Sequence, residues 1–405
     1  MANTILAPQR SYLFELKIKG IDYTPDIYQV RVTTSIAAPW PVVVLNIFVD
    51  VNDVILEGLW GQDPCELNII LLGQTGLQSD QIKLDLMVVD MNLDIQTKDQ
   101  MSEGKQKDRT PITITTVARD AFKTMTTMVN DVFENMSLKD IISSLVSTAG
   151  GTLIYDAKNE NTEKISQVVV PPTTLYRVIQ YLDSTFGLFE GVPVAFCDLE
   201  NNVHIYNLSE RMNKSQTFTI TQLASGMNTT DIVENTSSGK EFYTYSVVKT
   251  RYRGNATYAV LASNMAFIAK PKDSLYYPVD LTLDGICKDN GLISRNSKIP
   301  TDTNIAHRKT YYINQTGYNY TEAFARSIMA KRISSLSEVN ISIEKNLPVW
   351  NLLQVGEPVK FIPRTVEFIN LSGKYILKAS DLYFKKNKDW ESTANIYLIR
   401  TNRTI

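Results

Sequence analysis

Histidine and cysteine are scarce in this chain: two histidines and three cysteines in 405 residues. Histidine is the usual general acid or base near neutral pH, so its scarcity removes most hydrolytic constellations at the outset. His204 and His307 do not have the spacing of HxH or HExxH, and His204 falls in an alternating, strand-like run where a hydrogen-bonded structural histidine is the ordinary outcome. Cys65, Cys197 and Cys287 form no CxxC pair, so neither a disulfide framework nor a cysteine-based zinc site is suggested, which fits synthesis in a reducing compartment. Phosphate-binding glycine loops are also missing. Neither GxGxxG nor GxxxxGK[ST] occurs, and Gly58-Leu-Trp-Gly61 is too short to act as one. No catalytic residue, metal ligand or cofactor is therefore expected.

Two further absences bear on partners. Neither sign of charge dominates, with 41 Lys and Arg against 43 Asp and Glu and an isoelectric point near 5.9, so nothing global recruits nucleic acid or an anionic membrane. No apolar run approaches the roughly 20 residues of a membrane helix. Residues 1–10 lack a basic segment followed by an apolar core, so a soluble chain without a secretory signal or membrane partner is expected.

What the chain does contain is a pattern of short strands around a small helical region. It is 43% hydrophobic, and at about 100–200 residues per domain it should divide into two to four domains. Six runs with period two, at 13–18, 27–32, 42–49, 67–72, 82–89 and 112–117, predict an all-β domain, a barrel or sandwich, over residues 1–120. Turn sequences at 19–22 and 61–64 separate them, and the polar tract 99–109 reads as a long exposed hairpin loop.

Residues 121–208 read as a small α+β domain of two helices and a hairpin. In the first helix Leu138, Ile141, Ile142, Leu145 and Val146 share one face, with Ser137 as cap, Asp140 in the capping-box position and Gly150-Gly151 as stop. The second follows Pro171-Pro172 and sets Leu175, Val178, Ile179 and Leu182 at the same spacing before Gly187. Strands at 192–197 and 203–207 then flank a turn-rich segment, 198–202.

Strand patterns resume at 218–220 and 243–252. Residues 261–308 have weak periodicity and read as an insertion. A helix is expected over 319–336, followed by strands at 339–343 and 358–361 and a closing hairpin, 374–384 with 393–400, whose tip is polar. The second β domain would thus be discontinuous, 209–260 with 309–405.

The charged groups of the chain fit structural roles better than chemical ones. Asp90 and Asp94 lie four apart in a strand-like segment and fit a solvated face better than a glycosidase pair. The basic groups Lys105, Lys107 and Arg109, then Lys249, Arg251 and Arg253, then Lys385, Lys386 and Lys388, lie in or beside turns and edges. There charge is an ordinary guard against aggregation, and no specific nucleic-acid binding is expected. Twenty tyrosines lean toward wet protein contact surfaces.

The order of elements resembles the baseplate hub proteins of contractile-tailed phages, the family of the T-even hub and the late-control tail proteins. Residues 133–150, Phe-Glu-Asn-Met-Ser-Leu-Lys-Asp-Ile onward to Gly150, are similar to that family's F-x-N-x-[ST]-L-x-D-I helix. The 175–187 helix, the 355–361 run Val-Gly-Glu-Pro-Val-Lys-Phe and the hairpin opening Gly373-Lys-Tyr-Ile-Leu are similar to its later motifs. The resemblance implies a mainly β chain with an α+β insertion, built as two tail-tube-like β-barrel domains plus the small α+β domain. It implies a non-enzymatic, trimeric hub in the virion tail baseplate that adapts a six-fold tail tube to a three-fold central spike and leaves a channel for DNA. Its partners would be two further copies, the tube protein, the spike protein and other baseplate proteins. Type VI secretion spike proteins continue past the hub part into a β-helix. No such repeats follow here, so the spike would be a separate polypeptide. A tail-tip protein of a non-contractile phage or injection particle is the alternative, with a cell-wall or polysaccharide hydrolase behind it.

Overall fold

The structure is a computed structural model and describes residues 11–50, 62–72, 78–93, 109–156, 160–189, 193–215, 218–221, 232–235, 241–254, 276–277, 313–314, 337–344, 355–363 and 371–400. The N-terminal region forms β1 (Ser11–Ile18), the two-residue β2 (Ile21–Asp22), β3 (Ile27–Ser35), β4 (Val42–Asp50), β5 (Pro64–Leu72), β6 (Gln78–Leu93) and β7 (Arg109–Ala118). All six runs of alternating sequence are strands. In β5 the alternation buries Cys65, Leu67, Ile69 and Leu71 and leaves Pro64 and Glu66 exposed, as a half-buried strand requires. Lys19 and Gly20 both take positive φ, 54° and 79°, which makes the two-residue turn of the β1–β2 hairpin.

Next come helix α1 (Arg119–Thr126), β8 (Met128–Ser137), α2 (Leu138–Thr148), β9 (Thr152–Tyr155), β10 (Lys164–Thr174), α3 (Leu175–Phe186), β11 (Pro193–Cys197), β12 (Asn202–Asn207) and α4 (Leu208–Asn213). Local chemistry fixes α2 at both ends. The Asp140 amide donates to Ser137 Oγ at 3.2 Å, and the Ser137 hydroxyl donates to Asp140 Oδ2 at 2.7 Å. At the other end Gly150, at φ 83°, lets its own amide reach the Ser147 carbonyl and the Gly151 amide reach the Val146 carbonyl, each at 3.0 Å. The buried faces of α2 and α3 meet Val168 and Val170 of β10 and Val203 and Ile205 of β12 in one compact core.

Two features differ from the sequence reading. Pro171 and Pro172 do not sit at the entrance of α3 but inside β10, at the register shift between Val170 and Thr173. A missing amide donor is tolerated there because the ladder is already interrupted. The antiparallel ribbon β8–β10 was also not expected. β8 alternates too little for a period-two signal because polar Asn130, Asp131, Glu134 and Asn135 dominate it.

The remaining described strands are β13 (Phe218–Thr221), β14 (Ile232–Asn235), β15 (Glu241–Gly254), β16 (Tyr276–Tyr277), β17 (Ile313–Asn314), β18 (Ser337–Glu344), β19 (Pro358–Ile362), β20 (Gly373–Lys386) and β21 (Trp390–Arg400). Apart from the small β16–β17 pair, they join the N-terminal strands in one 14-stranded sheet, ordered β19-β13-β15-β18-β21-β20-β3-β4-β7-β6-β5-β1-β2, with β14 against β15. β19 also pairs β20, so the path of pairings from β19 through β13, β15, β18, β21 and β20 returns to its start. The two expected β-barrels thus meet a sheet in which both β regions are continuous across β3–β20, over a core running from Tyr12 to Ile399. The helix expected at 319–336 and the 99–108 loop lie outside the described residues, as does the 261–308 insertion apart from Tyr276–Tyr277.

Candidate functional site

Three contacts seat the small α+β unit on the sheet. The Trp40 ring, in the turn between β3 and β4, lies 4.9 Å from Phe122 of α1 in an edge contact, and the Cys197 amide donates to the Pro39 carbonyl at 2.9 Å. Arg119, where β7 runs into α1, pairs with Asp85 of β6 at 2.9 Å. Beside these contacts a cleft of about 540 Å³ opens between the unit and the sheet, walled by Ile36, Ile179, Leu188, Val194 and Leu208, with Lys378 at one side. Lys378 is held in an ion pair with Glu338. Asp183, which also lines the cleft, accepts from the Leu188 amide at 3.3 Å. The cleft has a mainly apolar wall, with Tyr176, Gln180, Asp183, Ser184 and Lys378 as its polar groups.

On another side α4 clasps the C-terminal strands. Arg211 donates through Nη2 to Glu357 Oε1 at 2.7 Å and through Nε to the Gly356 carbonyl at 3.2 Å, while its guanidinium lies 4.9 Å from the centre of the Tyr206 ring. Tyr206 is buried, and burial raises its phenol above the ordinary value. Its hydroxyl finds no hydrogen-bond partner among the described residues because it presses on Gly356, where a Cβ would stand 2.1 Å from it. Gly356 holds φ at 86°, so both its backbone and its neighbour demand glycine. The sequence reading placed a strand at 358–361, but nothing in it paired the residues just before that strand with Arg211 and Tyr206.

A third polar group lies where β3 meets β20. Asp381 accepts from Thr33 Oγ1 at 2.6 Å and from Arg31 Nη2 at 3.0 Å, and Arg31 also lies over the Tyr383 ring at 4.9 Å. Burial opposes the Arg31 charge, yet the hydrogen bond and charge of Asp381 hold its pKa above the ordinary value. Burial, with Asp381 next, raises the Tyr397 phenol. Thr34 and Ser380 share a hydrogen bond of 2.9 Å in the interior.

The residues weighed for chemistry in the sequence are scattered. His204 Nε2 lies 2.8 Å from Asp198 Oδ2, and its ring stacks on Phe196 at 4.9 Å, which is the structural role its strand position implied. Asp198 is held below its ordinary value: burial works against its charge, but hydrogen bonds from His204 and Asn202 outweigh that. Its other oxygen accepts from the Glu200 and Asn202 amides, each at 2.9 Å, and so shapes the turn. Cys65 and Cys197 are buried, and burial pushes each thiol up to about 12, away from nucleophilic use. Asp90 is exposed. Arg109 pairs with Asp26 at 2.8 Å. Lys249, Arg251 and Arg253 lie in register with Ser342, Asn340 and Glu338 of β18, and Lys385, Lys386 and Lys388 are exposed at the hairpin tip. His307, Asp94, Lys105, Lys107, Cys287 and Gly58 to Gly61 fall outside the described residues. Among the described residues no three His, Cys, Asp or Glu side chains gather as a metal site, and no helix is long and apolar enough to cross a membrane.

The geometry is that of a β scaffold with a docked α+β unit, and known proteins share it. A 43 kDa tail protein of prophage MuSo2 from Shewanella oneidensis superposes with a TM-score of 0.58 at 13% identity, covering 96% of this chain and 99% of that one. The fold is that of phage tail proteins. A tail protein from Neisseria meningitidis MC58 gives a TM-score of 0.52 at 8% identity, over 96% of this chain and 97% of its own. Residues 82–252 match the family described as Bacteriophage PBS1 gene 109 protein. No curated protein matches the chain in sequence. The family match spans less than half of the chain and takes in the 133–150 motif, and the likeness to the two tail proteins is one of fold.

Proposed function

We propose that this chain is a structural hub subunit of a phage tail baseplate. Three copies close into a ring, adapt a six-fold tail tube to a three-fold central spike and leave a channel through which DNA passes. The observation that carries this reading is the doubled β architecture. One set of strands, β3-β4-β7-β6-β5-β1, and a second, β19-β13-β15-β18-β21-β20, meet along β3–β20 in every chain. Each set is a β-barrel domain in this reading, so three chains present six similar modules. That is the simplest way for a closed homotrimer to meet both symmetries. The tail-protein fold supports the placement in a virion tail, and the clustering of polar side chains into structural pairs fits a non-enzymatic role.

Sedimentation or light scattering of the purified chain, alone and mixed with the tube and spike proteins of the same particle, tests the reading. The expected product is a species of about three times the 45.7 kDa chain mass that appears as a ring in electron micrographs. A strict monomer in every mixture would overturn it.

A further inference from the structure

The two margins of the N-terminal strand set are closed by one distant hairpin. At the β3 margin, β20 pairs from Ala379 opposite Ser35 to Lys385 opposite Gln29. The seam carries the interior Thr34–Ser380 hydrogen bond, the grip of Asp381 on Arg31 and Thr33, and the Ile36 amide donating to the Lys378 carbonyl at 2.9 Å. At the β1 margin the closure is by rings. Phe384 stands 5.1 Å from both Tyr12 and Phe14, and Trp390 stands 4.2 Å from Phe14. Phe384, Tyr12 and Phe14 are all buried, so each depends on the others for its cover.

Without residues 373–400, β3 would be an edge strand of nine residues with Ile27, Val30, Val32 and Thr34 facing an opened core. Such an edge is a template for pairing with any other exposed strand. Ribosomal synthesis delivers residues 373–400 long after residues 11–118. We propose that the β20–β21 hairpin is a closing strap: the N-terminal strand set reaches its native form only when this hairpin docks, so chains lacking it never present a finished N-terminal module for assembly. The small α+β unit is not subject to the strap, since the buried residues of its core all lie between Ala118 and Ile205 and the one outside ring packed against them, Trp40, does not belong to the hairpin.

Hydrogen–deuterium exchange of the intact chain at increasing, sub-denaturing urea tests this without reference to assembly or to the hub reading. Peptides covering 11–18 and 27–35 should lose protection in the same step, with the same urea dependence, as those covering 373–400, while peptides covering 138–186 open in a step of their own. Protection persisting in 27–35 after 373–400 exchanges freely would overturn the proposal. The variant Asp381→Ala, which removes the contacts to Arg31 and Thr33 at the seam along with the interaction with Tyr397 and deletes no apolar side chain, should raise exchange in both 27–35 and 373–400 by about tenfold. A rise confined to 373–400 would also overturn it. In pulse-labelled refolding, protection of 27–35 should appear no earlier than that of 373–400, and earlier protection is a third result the proposal does not survive.

Discussion

The shared sheet and the small α+β unit solve the same packing problem over very different lengths of chain. The unit buries its core with residues between Ala118 and Ile205, whereas the sheet core draws on residues from Tyr12 to Ile399. The sheet therefore loses far more chain entropy before its contacts form, and contacts such as Arg31 to Asp381 contribute nothing until the intervening chain is in place. The unit is the locally determined part of the molecule and the sheet the globally determined part. In the proposed hub the small unit would be available as a folded block while the sheet acts as the arbiter of completeness.

Phe384→Ala should separate the two most sharply. It empties a buried aromatic site between β1 and the hairpin and should cost roughly 3–5 kcal/mol of sheet stability. Amide exchange during urea unfolding should show the loss in 11–35 and 373–400 while 138–186 keeps its midpoint. An equal loss in both regions would mean that they are one cooperative unit.

Gly356→Ala attacks the joint instead. The left-handed backbone should cost about 1–2 kcal/mol and the collision with Tyr206 about 1–3 kcal/mol more. Adding Tyr206→Phe removes the hydroxyl that would lie 2.1 Å from the new Cβ but leaves the ring carbon Cζ at 3.0 Å, so the double variant should regain most of the collision part and keep the backbone part. Thermal denaturation of the two single variants and the double variant measures this directly.

Ser137→Ala should be milder and confined to the unit. Loss of the cap to the Asp140 amide should cost roughly 0.5–2 kcal/mol, seen as a lower midpoint for peptides covering 138–148 with the sheet unchanged.

The smallest effect concerns pH. Asp198 titrates below its ordinary value of 3.8 in the folded chain, so it contributes stability at all pH above that value and loses it as pH falls through the lowered folded pKa. Asp198→Asn should therefore flatten the fall in urea midpoint below about pH 4 while costing a pH-independent increment above it. Parallel curves for the variant and the parent chain would show that the Asp198–His204 pair contributes nothing to the acid limb.

Much of this was legible in the chain. The six N-terminal strands, both helices with their glycine stops, the Asp198–Asn202 turn and the closing hairpin all follow from signals that act over a few residues: alternation, capping and turn chemistry. The β8–β10 ribbon was not legible, because Asn130, Asp131, Glu134 and Asn135 hide its period; Val129, Val168 and Val170 are buried in the core, and Phe133, Met136 and Ile165 pack against it only half-buried. Its outer side leaves Met128, Val132 and Val169 exposed, with Val132 directly opposite Val169. The clasp of Arg211 on Gly356 and Glu357 was equally hidden, since ion pairs between residues 145 or more apart leave no trace in a single sequence.

The sequence by itself determined that the six N-terminal runs and the closing hairpin are strands and where α2 and α3 lie, and it carries no CxxC pair, HExxH spacing or glycine phosphate loop. Tertiary structure alone decided that β3 takes β20 as its neighbour, that β9 runs parallel to β12 and β13 parallel to both β15 and β19, and that two β regions share one core. The reason is physical. Strand propensity and capping are properties of neighbouring residues, while the choice of strand partner is settled by which distant surfaces can bury one another once the chain has closed.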